Sequence, residues 1–98
     1  MDCELKQLSK VVGDVKYNYY YKLTENNYEY GVAYGIEVIR NDIKNDKIIN
    51  VEKNEVKLVS PNKQKVRSLV NLLFEGEVSP VHLIDIIGEE VDKCVFDF

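Results

Sequence analysis

The feature that most constrains this sequence is a two-residue alternation of side-chain type that runs twice, from Val15 to Thr24 and from Glu29 to Val38. In the first stretch Val15, Tyr17, Tyr19, Tyr21 and Leu23 alternate with Lys16, Asn18, Tyr20, Lys22 and Thr24. In the second, Tyr30, Val32, Tyr34, Ile36 and Val38 alternate with Glu29, Gly31, Ala33, Gly35 and Glu37. Successive side chains of a strand point to opposite faces, so the pattern reads as half-buried strands. Asn26-Asn27 is the expected two-residue turn, because asparagine tolerates positive φ. That turn pairs Leu23 with Tyr30, Tyr21 with Val32, Tyr19 with Tyr34, Tyr17 with Ile36 and Val15 with Val38. One face is then apolar or aromatic throughout. The other sets Lys16 opposite Glu37 and Tyr20 opposite Ala33, where the ring would cover Gly31 and Gly35.

The flanks extend the sheet. Leu5, Leu8, Val11 and Val12 fit a turn of helix, but Gly13-Asp14 as a hairpin turn pairs Val12 with Val15, and the strand is preferred. Downstream, a polar loop from Asn41 to Asp46 leads to Ile48-Ile49-Asn50-Val51-Glu52, and the phase changes before Val56-Lys57-Leu58-Val59. Either Lys53-Asn54 is a turn that pairs Val51 with Val56 and Ile49 with Leu58, or one long strand carries a bulge.

From residue 60 the period becomes helical. Val59-Ser60-Pro61 and Val78-Ser79-Pro80 each open an apolar pattern, with serine as the expected cap and proline at the first helical position. Val66, Leu69, Val70, Leu73 and Phe74 form the stripe of a helix with one buried face, and Gly76 stops it. Leu83, Ile84, Ile86, Ile87 and Val91 make a wider stripe, expected to pack on more than one side; Gly88 ends or weakens that helix. Strands first and helices afterwards define an α+β fold: an antiparallel meander of 3–5 strands followed by two C-terminal helices on one sheet face. The expectation is a single domain over 1–98, with sheet at about 4–59, helices at 60–93 and an apolar tail at 94–98.

Composition narrows the function classes. Ninety-eight residues suit one domain, and 45% hydrophobic with 31% charged residues is a globular balance. No apolar run nears the roughly 20 residues of a membrane span. Residues 1–6 lack an apolar signal core, and Cys3 and Cys94 are expected as thiols, so a cytoplasmic location is expected and no membrane partner. The net charge of −4 disfavours nucleic acid. Lys63, Lys65 and Arg67 make the first helix basic against an acidic second helix, an attraction expected within the fold.

Chemistry has few footholds. His82 is the one histidine, and Asp85 and Glu89 follow at i+3 and i+7, a spacing that aligns metal ligands or an acid–base pair along a helix. A histidine bonded locally beside solvated acids explains it more simply. Ser79, His82 and Asp85 share one helical turn and do not form a nucleophile–base–orienter relay. There is no glycine-rich phosphate loop and no CxxC, and no cofactor is expected. Tyr20 with Lys16 and Lys22 resembles a small base-stacking platform. Val95, Phe96 and Phe98 make an apolar ending that docks on its own core or on a partner.

Tyr34-Gly35-Ile36-Glu37-Val38, Val59-Ser60-Pro61 ahead of an amphipathic helix, and Val78-Ser79-Pro80-Val81-His82-Leu83 with Asp85-Ile86-Ile87 resemble a family of short uncharacterised proteins. These carry a domain of unknown function and come from Gram-positive, largely clostridial bacteria. The resemblance spans most of the chain, implies a cytosolic bacterial protein, and carries over no functional residue. The acidic ending after the second helix departs from it.

The expected function is a non-enzymatic interaction or regulatory module, acting on a protein partner or by self-association. Tyr20, Val95, Phe96 and Phe98 are its candidate surface. The alternatives are a small enzyme or metal-dependent binder at His82, Asp85 and Glu89, and single-strand nucleic-acid binding on the outer sheet face.

Overall fold

The structure, a computed structural model, describes residues 2–98, the side chains of Asp2, Cys3 and Phe96 excepted. Four strands come first: β1 (Asp2–Val12), β2 (Val15–Tyr28), β3 (Gly31–Lys44) and β4 (Lys47–Ser60). The helices α1 (Lys63–Glu75) and α2 (Leu83–Cys94) follow, with 3-10 turns at Pro80–His82 and Val95–Asp97. The sheet is an antiparallel meander in the order β1-β2-β3-β4.

Each hairpin turn has a local cause. Gly13, at φ 63, opens the β1–β2 turn and Val12 pairs with Val15 as expected. Asn45 and Asp46, at φ 52 and 63, both take the left-handed conformation of a type I′ turn. The expected loop from Asn41 to Asp46 thus shrinks to that pair, and 41–44 are strand. Residues 47–60 form one long strand with register shifts, not a second hairpin at Lys53-Asn54.

The central hairpin corrects the expected pairing. It turns at Glu29-Tyr30, not Asn26-Asn27, with Gly31 at φ 141 just after the turn. Tyr21 pairs with Val38 and Leu23 with Ile36. Each β2 residue thus faces a β3 residue six positions beyond the expected one. An even displacement leaves every side chain on its own face, so the core survives although the pairs change. Tyr30 and Val32 do not: Tyr30 falls in the turn, 83% exposed, and Val32 beside it is 40% exposed. Lys16 faces Ile43 instead of Glu37, and Tyr20 faces Ile39 instead of Ala33. Glu37 faces Lys22, at 3.6 Å, and also meets Lys53 at 2.9 Å.

Tyr19, Tyr21, Leu23, Ile36 and Val38 form the sheet side of the core, and Val66, Leu69, Val70, Leu73, Leu83 and Ile87 the helical side. Tyr21 donates its hydroxyl hydrogen to the Val78 carbonyl at 2.8 Å, joining sheet and interhelical turn. The cap of α1 is Asn62 rather than Ser60; its Oδ1 accepts from the N–H groups of Gln64 and Lys65. Ser60 is buried, accepts from Asn62 N and donates to Asp97. Ser79 makes no side-chain cap bond, although Pro80 does open its turn. In α2 only Leu83, Ile87 and Cys94 are buried; Ile84 and Ile86 face solvent, so the wide stripe is not packed on several sides. Gly88 lies inside α2 and does not end it.

Candidate interaction surface

Strand length sets up the surface. A 14-residue strand at about 3.3 Å per residue runs roughly 46 Å, matching the molecule's longest extent of 47 Å. The helices, of 13 and 12 residues, reach only about 18–20 Å at 1.5 Å per residue. They cover the sheet around Tyr21 and Val38, and the part ending in the turns at Gly13-Asp14 and Asn45-Asp46 projects beyond them.

On that projection, the side facing the helices carries a polar network in place of a core. Arg40 donates to both carboxylate oxygens of Asp42, at 2.8 and 3.2 Å, and its guanidinium lies 5.5 Å from the centre of the Tyr17 ring. Asn50 Nδ2 donates to Asp42 at 3.2 Å, and Glu52 Oε2 lies 3.3 Å from Arg40 Nη2. The partners bury Asp42 to 7% exposure. The charge of this carboxylate is thereby compensated, as a buried ion requires. The sequence signal was present in the two-residue spacing of Arg40 and Asp42, but reading 41–46 as a loop hid it.

The opposite side of the projection carries apolar residues. Val11, Lys16, Ile43 and Ile48 form one row across the four strands, and Gln7, Tyr20, Ile39 and Lys53 another. Between Asp42 and Ile43 the β3–β4 register shifts, so Ile48 and Ile49 both stand against Ile43. Ile48, Ile49 and Val51 are 59, 57 and 56% exposed. β4 is also the last strand of the sheet, so its outer backbone groups have no strand partner among the described residues.

The anticipated residues are scattered. Tyr20 is half-buried on the open face, in the row of Ile39. Val95 is exposed, and Phe98 packs edge-on against Tyr28, 5.3 Å between ring centres. The side chain of Phe96 lies outside the described residues. Asp97 ties this ending to α1 and β4, at 2.9 Å from Lys65 and 2.8 Å from Ser60. Lys65 and Ser60 hold the Asp97 carboxyl below the usual carboxylate range. The Cys94 thiol is buried and free, and burial pushes its pKa up. His82 and Asp85 are exposed, with Nδ1 and Oδ2 3.5 Å apart. Glu89 does not complete a group with them: no three His, Cys, Asp or Glu that could hold a metal cluster among the described residues. No helix of the structure is long and apolar enough to cross a membrane.

These features define a class: a small α+β protein with one sheet face partly bare and a free apolar strand edge. The chain belongs to a family of unknown function, DUF6514, whose model matches residues 3–93. Neither the curated proteins nor the solved structures yield a significant match.

Proposed function

We propose that this chain is a non-enzymatic protein-interaction module of the bacterial cytoplasm, in keeping with its resemblance to clostridial proteins, and that it binds through the exposed end of β4. The observation that carries this reading is the coincidence of Ile48, Ile49 and Val51, each more than half exposed, with an unpaired strand edge. An edge supplies main-chain hydrogen bonds to an added strand, and alternate side chains supply the apolar contact. Apolar residues on an unpaired edge invite association, and a strand partner covers both liabilities together.

Photo-crosslinking tests the reading. A photoreactive residue in place of Ile49, in cells that make the chain, is expected to give a discrete protein adduct. The same residue at the exposed Glu89, on α2, should not give it. Absence of any adduct from position 49 overturns the proposal.

A further inference from the structure

We infer that the occupant of the β4 edge is a second copy of this chain, paired antiparallel about a two-fold axis at Val51. The inference rests on the interaction-module reading and names its partner. A two-fold axis normal to the sheet sets each residue of β4 opposite its reflection about the central residue, so every choice of centre makes a definite set of cross-strand pairs.

Among centres from Asn50 to Glu55, the sequence of β4 discriminates. Centring on Glu52, Lys53 or Glu55 sets like charges face to face. Centring on Asn50 leaves only residues 49–51 in the ladder, because the register shift at Ile48-Ile49 ends it; centring on Asn54 opposes Glu52 to Val56 and Val51 to Lys57. Centring on Val51 sets Val51 against Val51, Asn50 against Glu52, and the aliphatic stem of Lys53 against Ile49. The register shift at Ile48-Ile49 ends the shared ladder there, which confines it to residues 49–53.

A second observation favours the same centre. Glu52 turns Oε2 inward, shielded from solvent and 3.3 Å from Arg40 Nη2, while 39% of its side-chain surface stays exposed at the edge. Asn50 gives one amide hydrogen to Asp42 and has a second to give. In the Val51-centred pair, Asn50 of the second copy stands opposite the exposed part of the Glu52 side chain. The other sheet edge offers less, because β1 already commits Glu4 to Arg67 at 2.7 Å and Lys10 to Glu77 at 3.3 Å.

Disulfide trapping and sedimentation together test the inference. Directly opposed α-carbons of antiparallel strands sit about 4.5–5.5 Å apart, within disulfide range. Val51→Cys is therefore expected to oxidise to a covalent dimer. Glu55→Cys, whose copies the axis sets about 27 Å apart, should give no more than the parent chain does through its native cysteines. By sedimentation the parent is expected to dimerise, Val51→Lys to be monomeric with an unchanged circular dichroism spectrum, and a mixture of Val51→Lys with Val51→Glu to recover the dimer. A parent that stays monomeric, a dimer indifferent to Val51→Lys, or equal trapping from Glu55→Cys overturns self-pairing. If position 49 then crosslinks to a different protein, the edge reading stands and only the identity of the partner falls; with no adduct, both fall.

Discussion

The Lys57 carbonyl oxygen lies against Gly35 in the space that a β-carbon there would fill. The cause is a bend in β4: Tyr34 pairs with Ser60 and Ile36 with Val56, so Lys57, Leu58 and Val59 all stand against Gly35. Asn26 Nδ2 secures the bend by donating to the same carbonyl at 2.8 Å. Because the obstruction is backbone, Gly35→Ala has no soft side chain to displace. It is expected to cost about 1–3 kcal/mol, as overpacking does, read as a lower urea midpoint at unchanged slope. Stability equal to the parent would refute the close approach.

Gly88 should respond in the opposite sense. It lies inside α2, and an added β-carbon would meet only Ile84 Cγ2 at 3.6 Å, an ordinary contact. Gly88→Ala removes the entropy cost of a helical glycine and should stabilise the chain by about 0.5–1 kcal/mol. For a domain of this size each kcal/mol raises the melting temperature by about 4–8 °C. A fall in melting temperature would contradict the placement of Gly88 in the helix.

The two Ser-Pro openings look alike in sequence but differ in their caps. Asn62 Oδ1 accepts from Gln64 N at 3.1 Å and Lys65 N at 3.4 Å, whereas the Ser79 side chain caps nothing. Asn62→Ala is expected to cost about 1 kcal/mol and Ser79→Ala less than about 0.5 kcal/mol. Denaturant titration of the two variants decides it, and the reverse order would reinstate Ser79 as a cap.

How much of this was legible depended on whether the signal was local. Tyr19, Tyr21 and Leu23 could be placed in the core from alternation alone, because parity along a strand is a property of that strand. The partner of Tyr21 could not, since turns at Asn26-Asn27 and at Glu29-Tyr30 both keep the apolar faces together. Gly31, at φ 141 just past the turn, was the clue available, and it was read as a mid-strand glycine. The anticipated surface rested on one outward aromatic, Tyr20 beside Lys16 and Lys22, and on the apolar ending Val95, Phe96 and Phe98. The projecting end of β4 instead arises from a mismatch between strand and helix lengths, which becomes visible once residues 41–60 are read as uninterrupted strands about a two-residue turn.

Acid should loosen the C-terminal ending before the sheet. Lys65 and Ser60 hold the Asp97 carboxyl below its ordinary value. A depressed native value means that this link contributes fully above the unfolded carboxylate pKa, about 3.9, and is lost as pH falls through the native value. Protection of the amides of residues 94–98, taken relative to intrinsic exchange at each pH, is expected to fall below about pH 4, and Asp97→Asn should already lack it at neutral pH. Identical exchange profiles for parent and variant would remove the docking role given to Asp97.

Alkali probes the other anchor between sheet and helices. Tyr21 is fully buried and donates to the Val78 carbonyl, and burial, aided by Tyr19 and Glu77, raises its phenol pKa above the ordinary value. The neutral form is thus favoured in the folded chain, while the unfolded phenol ionises near pH 10. Above that pH the unfolded state binds fewer protons than the native state, so the contribution of Tyr21 is complete below about pH 10 and declines as pH rises further. Tyr21→Phe loses the hydrogen bond, a cost of about 1 kcal/mol at neutral pH, but carries no phenol to ionise at that position. Urea titrations of parent and variant from neutral to strongly alkaline pH should show the gap between them narrowing above about pH 10. A gap constant across that range would mean that the Tyr21 hydroxyl ionises as freely in the folded chain as in the unfolded one, which its seat beneath the interhelical turn forbids.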